Sequence, residues 1–188
     1  MKSHGAPAKA GAQCSSSRKQ KALGSGFRRS ALTLSLLLTA CTSTELPASS
    51  APPLDLLAFF EGETRGDGVL NPIIGRSVPI SVESRGTREG KGLRLVQRIT
   101  EGEKPTRTRT WIMVPAGPNR FTGTLTDARG PVAITVEGPR ATLSYRTPSG
   151  MRIRQELTLQ EDGEFLFNQL SAYRFGIRVA VLNEVIRR

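Results

Sequence analysis

Val132-Ala133-Ile134-Thr135-Val136-Glu137, broken at Gly138-Pro139 and resumed as Arg140-Ala141-Thr142-Leu143-Ser144-Tyr145, is an alternating run, a turn and a second alternating run. Successive side chains of a strand point to opposite faces, so a period of two marks a strand with one buried face. Two such runs around a glycine-containing turn read as an antiparallel hairpin. The pattern extends both ways along the chain. Upstream, Val78-Ile80-Val82 alternate with Ser77, Pro79 and Ser81, Leu93 and Leu95 with Arg94 and Val96, and Ile112 and Val114 continue Thr108 and Thr110. Downstream, Ile153, Leu157 and Leu159 keep the same period. Turn residues separate the runs at Arg88-Glu89-Gly90, Thr100-Glu101-Gly102, Gly117-Pro118-Asn119, Asp127-Ala128-Arg129-Gly130, Pro148-Ser149-Gly150 and Asp162-Gly163.

About nine or ten short strands follow from this count, the usual number for a barrel or sandwich. None of the connections is long enough for a crossover, so the expected fold is all-β: an antiparallel up-and-down meander closing into a barrel. Closure also removes the unpaired edges that invite aggregation. Leu54, Leu57 and Phe60 recur every three residues and stop at Gly62, which predicts a short N-terminal helical turn packed across one end as a plug. Pro79 lacks a ladder donor and belongs at an edge, a bulge or the rim.

The amino-terminal segment reads as an address. Phe27-Arg28-Arg29 precedes the apolar run Ala31-Leu32-Thr33-Leu34-Ser35-Leu36-Leu37-Leu38, and the small-residue site ends in Cys41. A basic flank, an apolar stretch and small residues make a secretory signal, and this stretch falls short of the about 20 residues a spanning helix needs. Leu38-Thr39-Ala40-Cys41 resembles the bacterial lipobox. That resemblance implies cleavage between Ala40 and Cys41 and lipidation of Cys41. The expected organisation is a signal peptide over 1–40, a lipidated Cys and proline-broken flexible tether over 41–53, and a single β-barrel domain over 54–188. The flank before Phe27 is long for a signal, which fits a translation start at Leu23. Thr42 stands where many lipoproteins retained in the inner membrane carry Asp, so the expected place is the outer membrane, lipid-anchored and facing the periplasm.

Composition then narrows the chemistry. The whole chain carries a formal charge of +11, but residues 1–40 hold seven of its 27 basic residues and no acid. Removing them leaves 20 basic against 16 acidic residues, and an export flank explains the excess better than nucleic acid, which is not expected as a partner. Cys14 and the chain's single histidine, His4, also lie in that segment. The remainder has no disulfide to form, no histidine-dependent nucleophile and no Cys/His zinc set. No catalytic, cofactor-binding or metal-binding residues are therefore assigned.

Leu57-x-Phe59-Phe60-x-Gly62, then Gly66-x-Gly68, and the tail Tyr173-Arg174-Phe175-Gly176-Ile177-Arg178-Val179-Ala180 resemble the bacterial lipoproteins grouped as domain of unknown function 3833. Asn168-Gln169 ahead of the tail is similar to that family's Asn-Arg. The resemblance spans roughly residues 54–188 plus the lipidated amino terminus and implies an exported β protein without an assigned reaction. Where members carry an aromatic Asp-x-x-Tyr patch, this chain has Gln155-Glu156-Leu157-Thr158-Leu159. Phe60-x-Gly62 is also similar to the opening of lipocalin-like barrels, although Glu63 and Thr64 stand where those place a Trp.

Several residue groups invite a site. Arg94, Arg98, Arg107, Arg109, Arg152 and Arg154 occupy alternate strand positions opposite apolar ones. They read as a solvated outer face with partners such as Glu83, Glu101 and Glu156; the sharper alternative is a basic face for phosphate or lipid head groups. Glu61, Glu63 and Asp67 surround the Gly62/Gly66/Gly68 segment and read as solubilising turn residues, their spacing fitting no calcium loop. Arg65-Gly66-Asp67 is a chance-level tripeptide. Trp111, Phe121, Phe165 and Phe167 are the candidate ligand-lining residues, if the interior is left partly unfilled. The expected function is a non-enzymatic, membrane-anchored lipoprotein binding an apolar or lipid-like ligand. The competing expectation is a filled barrel that offers its outer face to an envelope protein partner, with a carboxylate-based hydrolase as a third class.

Overall fold

The computed structural model describes residues 51–188. The expectations for the signal segment, Cys14, Cys41 and the first part of the tether lie outside the described residues. A four-residue helix, α1 (Leu56–Phe59), precedes ten strands: β1 (Gly62–Pro72), β2 (Val78–Glu89), β3 (Gly92–Glu101), β4 (Arg107–Gly117), β5 (Arg120–Leu125), β6 (Val132–Glu137), β7 (Arg140–Arg146), β8 (Arg152–Leu159), β9 (Phe165–Arg174) and β10 (Ile177–Arg187). Each strand pairs antiparallel with the next, and β1 pairs with β10, from Arg65 opposite Arg187 to Pro72 opposite Ala180. The meander closes as a lipocalin-like barrel.

The quoted hairpin forms β6 and β7, with Val136 opposite Ala141 and Ile134 opposite Leu143. Val132, Ile134, Val136, Ala141, Leu143 and Tyr145 are all buried. One segment departs from the sequence reading. Gly62–Gly68 is the first part of β1 rather than a turn. Its carboxylates lie outward, where Glu61 accepts from Arg88 (2.9 Å), Glu63 pairs with Arg85, and Asp67 meets Arg65 (3.4 Å).

The barrel has two unlike ends. At one, α1 packs its Leu56, Leu57 and Phe59 into the main core with Leu93, Met113, Leu157 and Leu166. Asp55 caps it by accepting from Ala58 N (2.9 Å), and Leu54 N donates to Gly138 O (2.9 Å), tying the plug to the β6–β7 turn. Ala51, expected in the tether, already packs with this core. The other end carries the loops 73–77, 102–106, 126–131 and 147–151 and the β9–β10 turn. Pro79 lies there, at the second position of β2 and exposed, with its carbonyl accepting from Gly102 N (2.9 Å). Rim placement is one of the positions its missing donor requires.

Candidate functional site

Two spaces follow from this asymmetry. Beneath the plug only about 30 Å³ remains between Leu56, Phe60, Trp111, Leu157 and Ile186. Toward the far end a cavity of about 280 Å³ opens, reaching the rim at Glu101, Arg107, Asp127 and Met151. That volume is near the lower end for small-molecule sites, at about 300 Å³. Its apolar wall includes a second cluster, Ile80, Val82 and Ile99 with Leu70 and Leu182.

A polar belt separates the two halves. Gln97, buried on β3, accepts at Oε1 from Trp111 Nε1 (2.8 Å) and from Arg109 Nε (2.7 Å), while its Nε2 donates to Ser84 Oγ (3.1 Å). The Arg109 guanidinium stands 5.6 Å from the Trp111 ring centre and lines the same cavity as Tyr145. On the opposite wall Asn168 Nδ2 donates to Glu184 Oε2 (2.6 Å) across the β9–β10 ladder. Gly66 and Gly68 make room for that carboxylate: a Cβ on Gly66 would lie 1.9 Å from Glu184 Oε1, and one on Gly68 2.8 Å from Glu184 Cα. Two motifs of the family resemblance, Gly66-x-Gly68 and Asn168, thus meet at one acid.

Burial sets the electrostatics of the belt. Desolvation pulls the Arg109 guanidinium below its usual range, opposed by Tyr145. Tyr145 is pushed up, chiefly by burial, with Arg109 opposing. Burial also raises Glu184, against the Asn168 hydrogen bond and the Arg109 charge. The other carboxylates of the cavity are engaged at the rim: Asp127 pairs with Arg107 and Glu101 with Lys104. None of the ion pairs formed by the described residues engages Arg109. Asn168 Oδ1 and Gln155 Oε1 are buried without a protein donor, and both residues border the interior. Among the described residues no three His, Cys, Asp or Glu side chains gather as a metal site.

The four candidate lining residues separate. Trp111 borders the inner space. Phe121 packs against the core without bordering either space. Phe165 and Phe167 alternate with the buried Leu166 and Asn168 and so take the outward parity, Phe165 beneath the Arg187 guanidinium (5.9 Å). Both are therefore corrected to surface positions. The arginine series is corrected as well. Arg98 meets Glu83 (3.7 Å) and Arg154 meets Glu156 (2.8 Å) on the outer face as expected. Arg107 and Arg109 share the parity of buried Trp111 and Met113, and that face turns inward. The sequence reading missed Gln97, Tyr145 and Glu184 as site residues and set Arg109 on the outer face. The signal for Arg109 was its two-residue offset from the only tryptophan.

Hydrophobic side chains also crowd one sector of the rim. Ile73 and Ile74 in the β1–β2 loop and Phe175 and Ile177 at the β9–β10 turn are exposed, Phe175 by 93%. The turn has positive φ at both Phe175 (52°) and Gly176 (81°), as a two-residue hairpin of the primed type requires. Outside the core, a groove of about 920 Å³ runs over Glu63, Arg65, Glu83, Arg85, Arg98 and Arg187.

Comparison with known proteins places this geometry. Residues 35–188 match a family model described as protein of unknown function, DUF3833. No curated protein matches the chain. Among solved structures it is similar to an S-type phycobiliprotein lyase from Guillardia theta, with TM-score 0.57 and 8% identity over 70% of this chain and 89% of that one. It is also similar to a protein of unknown function from the DUF3598 family of Nostoc punctiforme, with TM-score 0.56 and 18% identity over 77% of this chain and 53% of that one. At such identities the likeness concerns the fold.

Proposed function

The chain belongs to the DUF3833 family, and we propose that it is a lipid-anchored envelope lipoprotein whose barrel binds a small apolar or lipid-like ligand without catalysis. One observation carries the reading: the barrel is packed solid beneath its plug, yet keeps a cavity of about 280 Å³ with apolar walls toward the opposite rim. A chain selected only to fill its interior loses contacts and stability to such a void. The exposed Ile73, Ile74, Phe175 and Ile177 give a lipid-like ligand an apolar approach to that rim. The anchor of this proposal is Cys41, cleaved from Ala40 and acylated, and its place is the outer membrane, facing the periplasm.

A saturable uptake of fluorescent fatty acids by the purified protein, together with lipid extracted from it after purification, is the expected result. Protein that carries no lipid and takes none up would end this reading. The anchor has its own test: metabolic labelling with a palmitate analogue should mark the wild type and not Cys41→Ser. A second reading, docking of an envelope protein, is supported by the charged outer groove. Charge reversal at Arg98 and Arg187 would abolish such a complex and leave fatty-acid uptake unchanged.

A further inference from the structure

The ligand of the proposed cavity can be specified further by the one cation that reaches its depth. Arg109 is held, not free: Gln97 accepts from its Nε, and the Trp111 ring lies against its face. Those contacts fix the plane of the guanidinium while engaging only part of its five-donor fork. Arg107, the other inward arginine of β4, is spent on Asp127 at the rim. Glu184, the nearest deep acid, is bound to Asn168 and lies beyond ion-pair distance of Arg109. Arg109 is half-buried, and a cation drawn partly out of water without an ion-pair partner is costly in proportion to its desolvation. Tyr145 adds a second polar group: it lines the same cavity beside Arg109, close enough for the two to interact electrostatically, and a phenol hydroxyl can donate to a ligand.

Resting on the reading of the cavity as a ligand site, we infer that the ligand is an amphipathic monocarboxylate bound head-inward. Its carboxylate lies at Arg109 and Tyr145, and its apolar chain runs toward the rim past Leu70, Ile80, Val82, Ile99 and Leu182. The direction follows from where the polarity sits. The acid-binding groups are at mid-barrel depth, the walls above them are hydrocarbon, and the plug closes the space below. Two oxygens of one carboxylate match one guanidinium fork and one hydroxyl. A phosphate monoester brings a further oxygen and nearly a second charge into a site whose opposite wall is Glu184.

The chain's single tryptophan makes the test direct, because Trp111 shares its acceptor with Arg109. The full chain, reconstituted in phosphatidylcholine vesicles, is titrated with decanoate, methyl decanoate, decanol, decyl phosphate and decylamine while Trp111 emission is followed. Decanoate should give a saturable change at least about tenfold tighter than methyl decanoate or decanol, the worth of one charge-assisted hydrogen bond in a desolvated site. Decyl phosphate and decylamine should bind more weakly than decanoate. Arg109→Gln should lower decanoate affinity to that of the ester and leave ester binding unchanged. Equal affinity for acid and ester, tighter binding of the phosphate, or an Arg109→Gln protein with wild-type decanoate affinity would overturn the inference. The ligand series on the wild type decides the matter even if the variant does not fold. Saturable binding of ester and alcohol without preference for the acid would leave the ligand cavity standing and remove only its acid specificity. Silence from all five probes would remove both.

Discussion

At the residue scale the belt concentrates the molecule's electrostatic strain on Glu184. Its ordinary carboxyl value is 4.5, and burial raises it in the folded barrel. The folded state therefore holds that proton more tightly than the unfolded chain. Stability falls as pH rises from the ordinary value through the raised one, and the penalty is complete above that window and absent below it. Glu184→Gln keeps an acceptor for Asn168 and removes the charge, so it should melt above the wild type at pH 8. The two proteins should melt alike near about pH 3, where the carboxyl is protonated in both states. Equal melting temperatures at pH 8 would contradict this account. The facing glycines predict a sharper result. The three atoms nearest a Cβ on Gly66 all belong to the Glu184 side chain, whereas one on Gly68 meets Asn183 O (2.4 Å) and Glu184 Cα (2.8 Å), which are backbone. Gly66→Ala should therefore be rescued by Glu184→Ala, with a coupling of about 0.5–3 kcal/mol in a double-mutant cycle. Gly68→Ala should lose stability whatever stands at position 184.

At the scale of elements, α1 has only four residues and no independent stability, since isolated helices need about 12–15 residues to persist. Packing and its cap hold it. Leu56 is 1% exposed, and Leu56→Ala should cost about 2–5 kcal/mol in equilibrium urea unfolding. Asp55→Ala, which removes the acceptor for Ala58 N, should cost about 1 kcal/mol. If Leu56→Ala proves as mild as the cap variant, the plug contributes little to closing that end. The strands show how much an element reveals of itself. β6 and β7 alternate inward apolar with outward residues, so their buried faces are legible directly. β4 places Trp111 and Met113 on one face and Ile112 and Val114 on the other. A period of two cannot choose between two apolar faces. The β3 register chooses, setting Leu95 opposite Trp111 and Leu93 opposite Met113, and carries Arg107 and Arg109 inward with them.

For the whole molecule, closure is the feature on which the rest depends. Val181 faces Asn71 on one side and Ser171 on the other, so β10 is the strand that removes both edges. Val181→Pro deletes a ladder donor and introduces a ring the central ladder cannot accept. It should yield aggregated protein, seen as loss of the monomer peak in size-exclusion chromatography, because opening the barrel exposes unpaired edges. A soluble monomer carrying this substitution would mean that the β1–β10 seam is dispensable. The succession of hairpins, the meander and the plug can be read from residue order alone, because alternation, turn residues and short connections are local properties of the chain. The polar belt and the cavity were decided only in the tertiary structure. Which face of β4 turns inward, whether Gly66 and Gly68 admit Glu184, and how much interior ten strands leave unfilled all depend on register across the barrel. Residues from β1, β3, β4, β7, β9 and β10 meet in that belt, and no local pattern records a contact between strands so far apart in the chain.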